Sequence, residues 1–259
     1  MSTGLVKYDW NFIENYSDEE ISYFLSLEGK SIEAICKIRN LDRATIQKHL
    51  INCKIKYRFL AKSESSSDLF KSLILAAKEE RILVLNSLDR VNKEKLIHFL
   101  VKNYMELGLK DKEAAIWIMG ELRSNVTVDI LIKATVNNHV NIRRMAISAL
   151  GKIGDSRAER ALIRALEDKN PQVISYAVKS LQKISCGEAD DKIRALFNST
   201  NKEYIKKACE SYINLRDNKE MNFKNLSDCF FFRSDKQINE SCNQCKCHCC
   251  KESKGSGCD

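Results

Sequence analysis

The stretch Met145–Ile153, MAISALGKI, decides the fold because related copies of it recur along the middle of the chain. At intervals of 31 residues these copies are AAIWIMGEL from Ala114, YAVKSLQKI from Tyr176 and KACESYINL from Lys207. One small residue keeps the same place in every copy, and we call this set the alanine column: Ala115, Ala146, Ala177 and Ala208. A repeat of this length predicts a chain built from stacked copies of one structural unit.

A second set of apolar residues at the same interval indicates that each unit contains two helices. This second column consists of Leu100, Leu131, Leu162 and Ile193. Gly154–Asp155 and Asn170–Pro171 supply turns at which helices start or stop. A lone pair of short helices buries little surface, so neighbouring pairs must stack to form a core. We therefore predict an all-α protein whose residues 69–218 form an α-solenoid.

Ala149–Val173, ALGKIGDSRAERALIRALEDKNPQV, resembles the short HEAT repeats first recognised in phycobilisome lyase subunits. The resemblance covers roughly residues 107–215. It implies an α-solenoid of helix pairs whose surface binds other macromolecules. Residues 74–106, in which Val84 is in phase with the alanine column, are predicted to be a degenerate first repeat.

Composition narrows the class of protein further. The chain of 259 residues has one proline and nine glycines, which argues against an all-β fold. It has no apolar run of 18 residues and no leader-like start, so we expect a cytoplasmic protein without a membrane partner. Seven of the eleven cysteines lie between Cys229 and Cys258, which favours a reducing compartment over a disulfide framework.

Almost all of the excess positive charge lies in one short segment. The chain carries a net charge of +8, and residues 30–62 contain nine basic side chains but only two acidic ones. Ser17 and Glu20 have the spacing of a capping box before a helix that extends to Leu27. Ser31 then caps a second helix, and a third is predicted from about Asp42 to Asn52.

Glu28–Ile51, EGKSIEAICKIRNLDRATIQKHLI, resembles the small helix-turn-helix domain appended to some bacterial DNA helicases. By helical phase Ile46, Leu50 and Cys53 face inward on the third helix, whereas Arg43, Ala44, Gln47 and Lys48 face outward. Arginine, glutamine and lysine suit the reading of base edges in a major groove, and further cations suit phosphates. The predicted DNA-binding residues are Arg43, Gln47, Lys48, Lys54, Lys56 and Arg58. The alternative is that this trihelical unit caps the solenoid and its lysines are merely solvated.

We predict the domain division as follows: a helix-turn-helix domain at 1–62, a linker at 63–68, the solenoid at 69–218 and a cysteine-rich tail at 219–259. The serines of the linker could equally cap the next helix.

The repeat also identifies candidate residues on the solenoid surface. Lys102, Lys133 and Arg164 share the 31-residue interval, so stacking would align them as a basic ladder for a phosphate backbone or an acidic partner. Trp117 occupies a position where later copies have Ser148, Lys179 and Glu210. An exposed tryptophan often marks a binding hot spot, although packing against the amino-terminal domain explains it equally well. Arg143 is predicted to pair with carboxylates in the turns.

The tail concentrates soft metal ligands. Cys242, Cys245, Cys247 and Cys250 would make one tetrahedral set for Zn²⁺. The possible substitutes are Cys229, His248, Cys249 and Cys258. A second half-site at the usual distance is missing, so a reduced tail without metal is the alternative interpretation.

No catalytic motif emerges, and we predict a non-enzymatic adaptor that binds a partner protein and contacts duplex DNA. None of the four histidines precedes a glutamate, as the di-iron HEAT-repeat hydroxylases require. No nucleotide-binding motif or other small-molecule site is found. One alternative is a protein-interaction scaffold without DNA binding. The other is an enzyme, a HEAT-like alkylpurine DNA glycosylase that would use Trp117 and Asp129.

Overall fold

A computed structural model describes residues 4–184 and 187–231, with side chains up to residue 218. Within these ranges the chain is helical and contains no β-strand, so the predicted all-α class is confirmed. It divides into two compact units, Met1–Ile213 and Asn214–Asp259.

The basic amino-terminal segment forms a succession of short helices. A 3₁₀ turn, Trp10–Asn15, is followed by α1 (Asp18–Leu27), α2 (Ile32–Arg39), α3 (Arg43–Lys56), α4 (Arg58–Lys62) and α5 (Ser66–Leu75). Each of the first three helices begins with a side-chain cap: Ser17, Ser31 and Asp42 accept hydrogen bonds from backbone N–H groups of the first turn. The predicted capping box at Ser17 and Glu20 is present. Asn40, in the left-handed conformation, ends α2 and leaves a tight turn before α3.

Helix α3 is one turn longer than its predicted end at Asn52. Its inward face, Ile46, Leu50 and Cys53, is buried as predicted, and the same phase continues to the buried Tyr57. The Tyr57 ring stacks on Tyr23 of α1 with centroids 5.6 Å apart, which anchors the extra turn. Lys54 and Lys56 therefore lie within α3, and Arg58 begins α4, whereas the sequence had placed all three after the helix.

Glu20 joins the capping box to the end of α3. Its carboxylate accepts hydrogen bonds from the Ser17 backbone N–H, from Lys56 Nζ at 2.8 Å and from the Tyr57 hydroxyl. Burial alone would raise the pKa of Glu20, but the hydrogen bonds from Lys56, Tyr57 and Ser17 outweigh it and lower the pKa to about 2. The ionised carboxylate is thus the form that holds α1 against α3.

This lowered pKa predicts a pH-dependent contribution to stability. A carboxyl whose folded pKa lies below its unfolded value of about 4.3 stabilises the fold above that value and loses the contribution as pH falls toward about 2. We expect Glu20→Gln to lower the free energy of unfolding by ~1–3 kcal/mol at pH 7 and by much less at pH 2.5. Thermal unfolding of both proteins across this range measures the difference. An equal gap at both pH values would contradict the assignment.

The remaining helices alternate as the repeat predicts. The first helices of the units are α6 (Lys78–Ser87), α8 (Leu109–Leu122), α10 (Val140–Ile153), α12 (Pro171–Ile184) and α14 (Glu203–Phe231). The second helices are α7 (Arg90–Asn103), α9 (Val128–Ala134), α11 (Glu159–Arg164) and α13 (Asp190–Ser199). Short 3₁₀ turns flank them at Tyr104–Glu106, Asn125–Thr127, Ser156–Ala158 and Ala165–Glu167.

Both apolar columns form the core of the repeats. The alanine column is buried in α8, α10, α12 and α14, and the second column, from Leu100 to Ile193, is fully buried. Val84 of α6 is buried as well, which agrees with its phase. Small residues matter because successive first helices approach closely: a Cβ added at Gly120 would lie 2.9 Å from Ala149 Cβ, and one at Gly151 would lie 2.3 Å from Ser180 Oγ.

Arg143 has the structural role predicted for it. Its guanidinium donates to both carboxylate oxygens of Asp168, at 2.7 and 3.0 Å, and to the carbonyl of Asn137 at 2.9 Å. Both charged side chains are largely buried. The pair therefore ties the turn before α10 to the turn before α12, in the next unit.

The predicted linker contains the start of a helix. Ser65 accepts a hydrogen bond from the Asp68 backbone N–H and caps α5, while Ser63 is completely buried. Of the two interpretations of these serines, capping of the next helix is the one found.

Candidate nucleic-acid interface

Helix α3 presents its outward face to solvent as its helical phase predicts. Arg43, Ala44, Gln47 and Lys48 are exposed along its first half, and Lys54 is exposed near its end. The inward residues pack against α1, where His49 Nδ1 lies 3.1 Å from Ser22 Oγ. The turn between α2 and α3 and the buried face of α3 thus hold a polar helical surface in a fixed orientation.

The predicted DNA-binding residues differ in whether they already have an ion-pair partner within the protein. Arg43 pairs with Glu33 of α2, Lys56 with the largely buried Glu20 at 2.8 Å, and Arg58 with Glu80 of α6 at 2.6 Å. Lys56 thereby joins α3 to α1, and Arg58 joins α4 to α6. Gln47, Lys48 and Lys54, by contrast, have no hydrogen-bond or ion-pair partner among the residues that the structure describes. These three are the side chains most available to a ligand.

Two exposed isoleucines on this surface were not predicted from the sequence. Ile51 is 58% exposed and Ile55 is 64% exposed, and with Gln47 they follow one another at intervals of four residues. That spacing places all three on one stripe of the helix, so helical phase alone would have revealed them. Apolar side chains in such a position can contact thymine methyl groups or an apolar protein surface.

A second surface lies across the first helices of the repeats, and we call it the first-helix groove. It consists of two adjoining cavities of about 640 and 550 Å³ that share Ser148 of α10 and Tyr176 of α12. The first cavity extends from Ile74 of α5 and Lys78 of α6, and the second ends at residues of α14 in the same compact unit. Its lining includes eight cationic side chains and one carboxylate, Glu113.

Trp117 lies in this groove, whose lining also includes Ile74 of α5. The ring is half-buried, and the Arg81 guanidinium lies over it, 5.9 Å from the centroid. The predicted basic ladder is elsewhere. Lys102, Lys133 and Arg164 are exposed on the second helices α7, α9 and α11, and none of them lines the groove. The four residues predicted as one partner surface therefore belong to two different surfaces, because first and second helices form separate layers.

The structure also keeps apart Trp117 and Asp129, the two residues that a glycosylase centre would use. Asp129 lies on the second helix α9, with an exposed carboxylate 3.6 Å from Arg157 Nη1, and does not line the groove that contains Trp117. Trp117 therefore has Arg81, and not Asp129, beside it.

The predicted zinc ligands, Cys242, Cys245, Cys247 and Cys250, lie outside the described residues. In the part of the chain that the structure describes, no group of three or more potential ligands forms a metal site. Cys53 and Cys209 are buried, and burial raises the pKa of their thiols to about 12 and about 11, respectively. Both are consequently neutral core side chains at physiological pH.

Comparison with known families gives two matches. Residues 18–102 match the family described as a helix-turn-helix domain, and residues 109–182 and 128–214 match HEAT repeats. The first match continues through α7, so it includes the helix pair that the sequence predicted as a degenerate repeat. No curated protein matches the chain. Among the described helices none is long and apolar enough to cross a bilayer.

Proposed function

Because residues 109–214 match HEAT repeats and residues 18–102 match a helix-turn-helix domain, we propose that the protein is a non-enzymatic adaptor that contacts duplex DNA through α3. HEAT repeats typically serve as protein-interaction scaffolds. A helix-turn-helix motif typically inserts its second helix into the major groove of DNA. The adaptor would bring a protein partner held by the repeats to DNA held by α3.

The DNA proposal rests on the chemical types of the exposed α3 side chains that have no partner among the described residues. Gln47 and Lys48 lie on its exposed amino-terminal half, the half that meets base edges in such domains. Ile51 follows them on the same surface and is suited to a thymine methyl group, while Lys54 is suited to a phosphate. Arg43 could join them by exchanging Glu33 for a base or a phosphate.

A binding assay with a charge-reversed α3 tests this proposal. We expect Lys48→Glu to weaken binding to duplex DNA about tenfold at low salt, since one favourable contact becomes a repulsion. Arg160→Glu is the matched control, because Arg160 is an exposed cation on α11 and the change in net charge is the same. Fluorescence anisotropy over a salt series measures both. Equal weakening by the two substitutions, or none, would refute the role of α3.

The second candidate is a protein-interaction scaffold without DNA binding. Ile51 and Ile55 favour it, since two adjacent exposed isoleucines form an apolar spot of the kind that proteins bury in interfaces. The ladder of Lys102, Lys133 and Arg164 would then offer an acidic protein a second surface. Absence of duplex binding at low salt, together with loss of a co-purifying protein on Ile51→Ser, would favour this candidate.

A further inference from the structure

The first-helix groove carries charge and rings that the protein-scaffold role of the repeats does not require. Of its eight cations, Lys152 is paired with Glu121 at 2.5 Å, and Lys207 lies 3.8 Å from Glu203. The other six have no carboxylate partner among the described residues: Lys78, Arg81, Lys110, Arg144, Lys179 and Lys183. Like charges collected in one cleft raise the local potential and attract a polyanion.

Aromatic rings lie between these cations. Tyr176 is half-buried in the floor that the two cavities share, with the Arg144 guanidinium 5.3 Å and Lys179 Nζ 5.8 Å from its ring centroid. Trp117 lies in the first cavity beside Arg81, and Tyr204, 45% exposed, lines the second. The groove thus alternates flat apolar faces with phosphate-binding groups over the five helices α6, α8, α10, α12 and α14.

We propose that the first-helix groove binds single-stranded nucleic acid. A strand with unpaired bases can stack them on Tyr176, Trp117 and Tyr204 while its phosphates contact the neighbouring cations, which is how sequence-tolerant single-strand sites work. The bases of a duplex are stacked on one another and cannot reach these rings. An acidic peptide would use the cations and leave the rings without a comparable partner.

This site is distinct from α3 in position and in ligand. Apart from Ile74 of α5, the groove is built from the first helices, and none of Gln47, Lys48 and Ile51 lines it. The inference therefore stands whether or not α3 binds duplex DNA.

The test measures anisotropy of a labelled 20-nucleotide oligo-dT, and of the matching oligo-rU, with the full-length protein. We expect Tyr176→Leu, which keeps an apolar side chain but removes the ring, to weaken binding by about fivefold or more, and Tyr176→Phe to keep it. Lys179→Glu changes an exposed side chain and should weaken binding and flatten its salt dependence. The control Arg160→Glu should leave the affinity within about twofold.

Lys48→Glu should not change oligo-dT binding, which separates this site from α3. Oligo-glutamate is the competitor that separates a nucleic-acid site from a general polyanion site. Three results would overturn the inference: absence of oligonucleotide binding at low salt, equal affinities of the Tyr176→Leu and Tyr176→Phe proteins, or displacement of oligo-dT by oligo-glutamate at equal charge concentration.

Discussion

Gly151→Ala is expected to destabilise the repeats by about 2 kcal/mol, although alanine is the better helix former. In the interior of α10 the substitution should gain up to ~1 kcal/mol from helix propensity. The new Cβ, however, would lie 2.3 Å from Ser180 Oγ and 2.9 Å from Ser180 Cα on α12. Because the nearest backbone atom cannot move without separating the two helices, the close packing outweighs the propensity. For a domain of this size we expect the unfolding midpoint to fall by about 4–8 °C.

Gly108→Ala is the matched control for this prediction. Gly108 is the N-cap of α8, and a Cβ added there would meet nothing within 4 Å, so Gly108→Ala should lose only the N-cap preference for glycine and lower the unfolding midpoint by much less than Gly151→Ala. Adding Ser180→Gly to Gly151→Ala removes the two nearest contacts and should recover part of the loss. Recovery will be partial, since Ser180 Oγ also donates to the buried carbonyl of Ile147 at 2.9 Å. Calorimetry of the three proteins measures this. A Gly151→Ala protein as stable as the unaltered chain would contradict close contact between successive first helices.

The same contact explains why the sequence predicted the repeats so well. Every unit must present the same small and apolar residues to its neighbours, so the alanine column and the second column recur at a fixed interval and are buried throughout. Local chemistry was equally informative at the helix starts, where Ser17, Ser31 and Asp42 cap α1 to α3. Residues that repeat, or that act on atoms three residues away, can be recognised without coordinates.

The functional surfaces were less predictable because the copies share positions but not side-chain chemistry. Arg144 and Lys179 lie beside the Tyr176 ring in the groove, yet the same three positions one unit earlier are Glu113, Ser148 and Met145. The interval therefore indicates which positions line the groove, but not which of them carry a cation or a ring. Lys102, Lys133 and Arg164 do share an interval, yet they lie on the layer opposite Trp117. The engagement of Lys56 by Glu20 and of Arg58 by Glu80 likewise depends on long-range packing.

A second large effect is expected from Arg143→Met, which leaves the Asp168 carboxylate without its cation. Burial opposes ionisation of Asp168, yet the Arg143 hydrogen bonds and the Asn170 backbone N–H keep its pKa below its usual range. Removing the arginine leaves the largely buried Asp168 carboxylate without a cation and removes the hydrogen bond to the carbonyl of Asn137. Such a break costs about 3–5 kcal/mol for a fully buried pair, so we expect ~3 kcal/mol here and a midpoint lower by about 6–12 °C.

Arg157→Met is the control for Arg143→Met, because Arg157 also pairs with a turn carboxylate, Asp155, but has a half-exposed side chain. Solvent screens that pair, so its loss should cost only ~0–1 kcal/mol. Replacing both members of the inner pair, as in Arg143→Met with Asp168→Leu, should recover stability, since no unpaired charge remains. Hydrogen exchange should locate the loosening in α10 and α12, the helices whose preceding turns the pair joins. Similar losses from Arg143→Met and Arg157→Met would mean that burial of the inner pair contributes nothing to the stacking of the repeats.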